Sequence, residues 1–408
     1  MKVLILTYNF PPETGSASAK MFELADYLFK KGHKVTVLTG FPNYPIGIIY
    51  DGYKQKLFLK EQGNGFKIIR TWVFTSPKRN KFLPRFLNYT SFMITSVLAG
   101  ILAGKHDLIY VYLPPIHLGV TAYIVSRIYR MPFILWVNDL WPAAPIALGF
   151  LKNSVLIKLA YYIEAFVYRK ARKVAVYSLQ MKDVLIRKGI PEKKIEIHPL
   201  WISTDSYIPK PKDQSILEQY NLKDKFVVMH AGNMGFAQSL EVVIDCARLL
   251  EENTKIVFVL IGSGDERDKL IQLKESYGLK NILFIPQQPG EKMAFFFSVA
   301  DILLVHVKWA EHRYGTIPEK TLAYMSCGKP ILIASQEAAS YLIRKAMCGL
   351  AIEPDNPRAM AEAIDQLMKN DELRKTMGGN ARNYVVKYFS REVVLENLEK
   401  RLRELKYN

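Results

Sequence analysis

The chain has 408 residues, half of them apolar and 12% aromatic, enough for two domains with full cores and outside the range of disordered or fibrous chains. Its three cysteines, Cys246, Cys327 and Cys348, form no Cys-x-x-Cys pair, so neither a zinc site nor a disulfide framework is indicated and a reducing cytosol fits. The formal charge of +18 is uneven: residues 1–200 hold 28 Lys+Arg against 11 Asp+Glu and residues 201–408 hold 28 against 27, so the first half calls for an anionic partner, whether headgroups, a lipid phosphate or nucleic acid.

The opening KVLILTY reads as a strand, being too short for a secretory apolar region and lacking a small-residue cleavage site. It leads into the loop NFPPETGS and a helix from about Ala17 to Lys31, with Met21, Leu24 and Leu28 on one face and Gly32 as its stop. Strands follow at KVTVLTG, FKIIRTWVF, DLIYVYL, PFILWV and RKVAVYS, with helical stretches between most of them. Strands alternating with crossover helices give an α/β fold with a parallel, doubly wound sheet. A second series starts near Lys225 with KFVVMHAG, then KIVFVLIG, NILFIP, DILLVHV and KPILIAS. The aperiodic STDSYIPKPKDQS between the two series reads as a linker. The expected organisation is therefore a first domain at 1–205, a second at 206–390, and a terminal helix at 391–408 packing back on the first.

One segment stands apart. Phe86–Gly104 carries no charge over 19 residues and nearly meets the length of a membrane span. Asn88, Thr90, Ser91, Thr95 and Ser96 make it weakly hydrophobic, and it lies where a crossover helix is needed. A buried helix is expected, with an interfacial helix as the alternative. Just upstream, Lys78, Arg79, Lys81 and Arg85 interleave with Phe82 and Phe86, a pattern suited either to lipid headgroups or to a solvated loop.

AGNMG (Ala231–Gly235) follows a strand and leads toward a helix. Gly232 and Gly235 would let backbone N–H groups approach a diphosphate, while Asn233 and Gln238 offer amide donors; an ordinary strand-to-helix turn is the bland alternative. Gly262–Gly264 reads as a tight turn beside the same place. Lys320, close to a helix start, is electrostatically disfavoured unless an anion sits there. Asp139, between Trp136, Leu140 and Trp141, is placed in an apolar setting that would raise its pKa, and either acts on a hydroxyl or caps a helix. No Asp-x-Asp occurs, and the seven histidines show no ligand spacing, so no metal is expected.

Five motifs in order, NFPPETGSAS, WVNDLWP, HAGNMGFAQSLE, LIGSGDERDKL and PEKTLAYMSCGKPIL, resemble glycosyltransferase family 4. Within it they are most similar to the branch of L-fucosamine transferases and enzymes of O-antigen, capsule and colanic acid synthesis. The resemblance covers nearly the whole chain. It implies a GT-B fold of two Rossmann-like domains facing across a cleft, a nucleotide-sugar donor taken as a UDP-sugar, no metal or other cofactor, and retention at the anomeric carbon. The acceptor it suggests is a saccharide on undecaprenyl diphosphate. Together with the cationic first half, this places the chain in the cytoplasm, peripheral on the inner face of the cell membrane, with an anionic membrane surface and no nucleic acid as partner.

The resemblance also assigns residues. Gly15, in the small-residue loop Thr14–Ser18, borders the reacting centre, and Glu13 beside it is a candidate for proton handling or a helix-start acid. Gly232, Asn233, Gly235, Gln238 and Gly262 line the donor, and Phe284 ends the strand whose backbone meets the base. Many family members carry Arg and Lys where this chain has Asn233 and Gln238, so Arg313 and Lys320 are the candidate replacement cations. Glu311 and Glu319 keep the eight-residue spacing of the family's hydroxyl-binding glutamates. Anchoring on CGKP instead puts those positions on Gly315 and Ala323, so Glu319 stands in from one turn away. A GT-B-shaped epimerase and a basic adaptor remain as alternatives. A nicotinamide oxidoreductase is disfavoured, because no full Gly-x-Gly-x-x-Gly opens the first strand–helix unit.

Overall fold

The computed structural model describes residues 1–53, 56–77, 82–143, 146, 151–310 and 315–407. The chain divides into two compact units, Met1–His198 with Leu395–Asn408, and Pro199–Val394. The first unit contains β1 (Lys2–Leu6), β2 (Lys34–Gly40), β3 (Phe58–Gln62), β4 (Lys67–Thr71), β5 (Leu108–Leu113), β6 (Phe133–Val137), β7 (Lys173–Val176) and β8 (Ile195–Ile197). They form one sheet in the order β3-β4-β2-β1-β5-β6-β7-β8, parallel except for β3 against β4. All six residues of β5 are buried, as a strand covered by helices on both faces requires.

The helices of this unit are α1 (Ser16–Lys30), α2 (Phe82–Ala103), α3 (His117–Tyr129), α4 (Ser154–Lys170) and α5 (Leu179–Arg187). Asn153 caps α4 by accepting the Val155 and Leu156 amides, and Ser178 caps α5 through the Met181 amide. The later part of the final helix (Arg391–Tyr407) belongs to this unit, where Glu399 lies 2.8 Å from His33 Nε2. The expectation that α2 is buried needs correction. Phe92, Ser96 and Ala99 face inward, but Leu83, Leu87, Ile94, Leu98 and Leu102 are exposed.

The second unit contains β9 (Phe226–Ala231), β10 (Ile256–Ile261), β11 (Ile282–Ile285), β12 (Ile302–His306), β13 (Ile331–Ala334) and β14 (Gly349–Ile352). All run parallel in the order β11-β10-β9-β12-β13-β14. Its helices are α6 (Gln214–Gln219), α7 (Glu241–Leu249), α8 (Arg267–Ser276), α9 (Met293–Val299), α10 (Glu319–Ser326), α11 (Glu337–Ala346), α12 (Pro357–Met368) and α13 (Asp371–Phe389). Val228, Ile244, Phe258, Leu260, Leu332 and Ile364 anchor one face of its core, each side chain contributing about 1.5–3 kcal/mol.

In each sheet the chain fills one side of its first strand and then the other, with β4 of the first unit inserted between β2 and the edge strand β3. The direction reverses between β1 and β5 in the first unit and between β9 and β12 in the second. At such a reversal the loops leaving adjacent strands diverge, which opens a crevice at the C-terminal strand ends.

Candidate functional site

The reversal between β9 and β12 is built from glycine. Gly232 (φ 130°) directly follows β9 and Gly262 (φ 148°) directly follows β10, with Gly264 (φ 149°) two residues on. A Cβ on Gly262 would lie 1.9 Å from the Gly232 carbonyl oxygen, and one on Gly264 would lie 2.5 Å from that of Met234. The two loops thus pack backbone against backbone, a closeness that only glycine at positive φ permits. Bonds from Gly232 N–H to the Ile261 carbonyl and from Met234 N–H to the Ser263 carbonyl, both 2.8 Å, hold them together.

These bonds change the role read from the sequence. The Gly232 amide, assigned there to a diphosphate, is engaged within the unit. The Gly235 amide donates to Gln238 Oε1 at 3.2 Å, and Asn233 Nδ2 donates to the same oxygen at 3.2 Å. Gln238 thus acts here as an acceptor that orders the turn, through contacts a ligand can displace. Gly232 and Asn233 are exposed.

Among the described residues, Lys320 is the cation that reaches the Gly232 end of this turn. Its helix, α10, is fastened to the end of β9 by Tyr324, whose hydroxyl accepts the Ala231 amide at 2.8 Å and donates to the Ala231 carbonyl at 3.1 Å. One turn earlier on the same face, Lys320 reaches past Gly232, so closely that a Cβ there would lie 2.7 Å from Nζ. Nζ is 3.1 Å from Nε2 of His230, a fully buried residue of β9. His230 Nδ1 faces the Leu304 carbonyl oxygen at 3.2 Å and so carries the hydrogen, leaving Nε2 as a neutral acceptor for the ammonium. Burial drives the His230 pKa well below its ordinary value, with the Lys320 charge a further cause. Burial also pulls the Lys320 ammonium down to about 7. A lysine held by a neutral imidazole at the mouth of a strand-end crevice is poised for an anion.

His306, on the β12 side, is a second buried imidazole: Nδ1 meets the Gln238 carbonyl at 2.6 Å and Nε2 accepts the Asp355 amide at 3.2 Å. It secures the turn that Gln238 closes. Glu319 opens α10, half-buried, with its charge felt at the Tyr207 phenol. Phe284 lies on β11, partly buried against the core, and after this strand Gln287 accepts the Ser263 hydroxyl at 2.7 Å. Glu311 and Arg313 lie outside the described residues.

In the first unit the corresponding edge gathers Glu13, Gly15, Asp139 and a residue that sequence reasoning missed, His117. Glu13 is buried and accepts the Asn43 and Tyr44 amides at 2.7 and 2.8 Å on one oxygen and Asn9 Nδ2 at 2.9 Å on the other. Both oxygens therefore clamp the loops after β1 and β2 together, and the proton-handling expectation gives way to an anchoring role. Gly15 (φ 122°) precedes α1, whose N-terminus has no side-chain cap. Asp139 is exposed rather than enclosed. Trp136, expected to cover it, is turned into the core, where Nε1 donates to the His198 carbonyl at 3.2 Å.

His117, the first residue of α3, contacts the rings of Phe86, Tyr89 and Trp141. Its buried Nδ1 has no hydrogen-bond partner among the described residues, and burial lowers its pKa to about 4. No spacing rule pointed to it, since its ring neighbours come from two other segments, α2 and the loop after β6. Of the expected membrane-contact residues, Lys78, Arg79, Lys81 and the Phe82 side chain lie outside the described residues, while Arg85 is exposed, its guanidinium 5.6 Å from the Tyr89 ring centroid.

Comparison with known proteins agrees with this architecture. The family described as "Glycosyl transferase 4-like domain" matches residues 16–201, and "Glycosyl transferases group 1" matches residues 212–384. Among curated relatives, the putative colanic acid biosynthesis glycosyl transferase WcaI of Escherichia coli K12 is 24% identical over 97% of this chain and 98% of its own length. The alpha-D-kanosaminyltransferase of Streptomyces kanamyceticus is 23% identical over 64% of this chain and 67% of its own. Among solved structures, Anabaena HepE in complex with UDP superposes with a TM-score of 0.74 at 16% identity, covering 99% of this chain and 100% of that one. WaaG, a glycosyltransferase involved in lipopolysaccharide biosynthesis, gives 0.68 at 17% identity, covering 97% and 98%.

Proposed function

Because the chain belongs to the family 4 glycosyltransferases of GT-B fold, we propose that it moves a hexosyl group, an N-acetylated amino or deoxyamino sugar such as L-FucNAc, from UDP to a lipid-linked saccharide in the synthesis of a bacterial surface polysaccharide. The observation that carries the donor assignment is Lys320. Its ammonium rests on a neutral imidazole beside an exposed glycine turn, where a diphosphate would supply the missing negative charge. The UDP in the HepE complex and the polysaccharide role in the name of WcaI support the same reading.

In this reaction the bond between the anomeric carbon and the β-phosphate oxygen breaks, and a bond from that carbon to the acceptor hydroxyl oxygen forms on the same face. The hydroxyl proton passes to the departing diphosphate. Lys320 stabilises the charge that develops there, as a fixed donor does best in a water-poor crevice. Asn233 and Gln238 exchange their mutual bond for phosphate oxygens, Glu319 holds ribose hydroxyls, and Asp139 orients the acceptor hydroxyl from the first unit. The reading assigns no metal to this charge. The first unit's cationic surplus fits an acceptor carried on undecaprenyl diphosphate at the inner face of the cell membrane.

A thermal-shift panel of nucleotides and nucleotide sugars tests the donor. A ligand at 100 times its Kd stabilises the native state by about 2.7 kcal/mol, so UDP and its sugars should give the largest rise in Tm. A panel in which no nucleotide moves the transition would remove the assignment.

A further inference from the structure

The first unit carries an outward apolar stripe and a lysine cavity that the transfer site does not use. α2 is amphipathic in reverse. Apart from Phe92, its inward face is largely small or polar: Ser96 Oγ lies 2.9 Å from Thr121 Oγ1, Thr95 donates to the Trp72 carbonyl at 2.8 Å, and Gly100 packs on Val125. Its outward face is leucine-rich, with Leu83 61%, Ile94 56% and Leu102 64% exposed, and Leu87 and Leu98 on the same stripe. Burial normally sorts side chains the other way, so a helix of this kind is matched to an apolar medium outside the protein. By length and composition Leu83–Ala103 is apolar enough to cross a membrane. Its inward contacts instead fix it along the sheet, an element of about 33 Å that lies flat.

The stripe ends in a cavity of about 730 Å³ at the N-terminal edge of the sheet, to which Leu102 and Ala103 contribute. Lys2, Lys34, Lys60, Lys67 and Lys105 line it, and none of these five ammonium groups forms an ion pair among the described residues. Its one carboxylate, Glu61, is bonded to Arg70 at 2.6 Å. The neighbouring helices keep the face free of exposed negative charge. α2, α3 and α4 include a single acid, Glu164, which is buried and paired with Lys188.

We propose that this face docks on an anionic phospholipid bilayer, the α2 stripe entering the boundary between headgroups and acyl chains while the five-lysine cavity takes headgroup phosphates. Apolar residues alone would fit a protein partner as well. The convergence of the stripe on unpaired lysines, with no exposed acid on three successive helices, fits a lipid surface of negative charge. The opposite end of α2 lies at the sheet's C-terminal edge, where Asn88 Oδ1 accepts the Tyr8 hydroxyl at 2.6 Å. A helix seated flat in the interface therefore brings that edge, and with it Asp139 and His117, to the level of a lipid-linked acceptor. In this last respect the proposal deepens the acceptor reading given above.

Co-sedimentation of the full chain with phosphatidylglycerol-containing and pure phosphatidylcholine vesicles tests it, without donor or acceptor. Binding should require the anionic lipid and weaken with salt. The exposed triple variant Ile94→Gln/Leu98→Gln/Leu102→Gln should lose vesicle binding while keeping wild-type affinity for UDP. Lys34→Gln/Lys67→Gln/Lys105→Gln should weaken it about fivefold per lysine. Wild-type vesicle binding by either variant overturns the proposal, as does wild-type protein that ignores anionic vesicles. A lysine variant that loses inorganic phosphate but keeps vesicles marks a soluble-phosphate site and overturns it too. Intact vesicle binding with no UDP binding would instead strike at the donor reading.

Discussion

Replacing Lys320 by methionine keeps most of the side-chain volume and removes the ammonium. A hydrogen bond to a charged group contributes about 1.5–3 kcal/mol, so UDP should bind roughly 10- to 100-fold more weakly to the variant. The pH dependence is more diagnostic. Burial sets the free-protein pKa of Lys320 at about 7, and a bound diphosphate should raise it. At pH 8 the lysine is largely neutral before UDP binds and charged afterwards, so binding takes up close to one proton. Affinity should therefore fall as pH rises above about 7, by up to tenfold per unit, and level off below. Near pH ~6 the phosphate itself begins to take up a proton, which sets the acid limit. Calorimetric titration at pH 8 in buffers of different ionisation enthalpy reads the uptake directly. Zero uptake by the wild type, or unchanged affinity in Lys320→Met, would refute the reasoning. The same shift has a stability consequence. Between pH 7 and pH 10 the unfolded chain binds the proton that the folded lysine lacks, so ligand-free stability should rise with pH, and the methionine variant should lose this contribution.

Gly262→Ala should cost roughly 3 kcal/mol or more, because its Cβ would meet the Gly232 carbonyl at 1.9 Å at a φ that alanine avoids; an unchanged urea midpoint would contradict the loop packing. His117→Phe removes a buried nitrogen without a partner and should stabilise the protein by about 1 kcal/mol. An unchanged or lowered urea midpoint would mean that this nitrogen is satisfied in the folded protein. Asp139→Asn should cut turnover strongly with little change in donor affinity, and full turnover would remove it from the reaction.

The central strands were readable because each is buried on both faces and appears as an uninterrupted apolar run. β3, β8 and β14 were not. β3 is a polar edge strand (FLKEQ) and β8 has three residues, while β14 (GLAI) follows closely on α11 and offers too short a run to separate from its surroundings. The glycines at 232 and 262 stood out by position, although their packing against each other depends on the pairing of β9 with β10. Lys320 was legible as a cation near a helix start. Its imidazole partner was not, since His230 lies 90 residues away and meets it only once Tyr324 has fastened α10 to β9. Asp139 was misjudged because neighbours in sequence were taken as neighbours in space, whereas Trp136 belongs to β6 and turns into the core while Asp139 lies beyond the strand's end and is exposed.

A crystal structure of the full chain with UDP in metal-free buffer tests the account most directly. The diphosphate should sit over the Gly232–Gly235 turn with an oxygen about 2.7–2.9 Å from Lys320 Nζ. A nucleotide bound elsewhere, or one whose phosphates leave Lys320 on His230 alone, would contradict it.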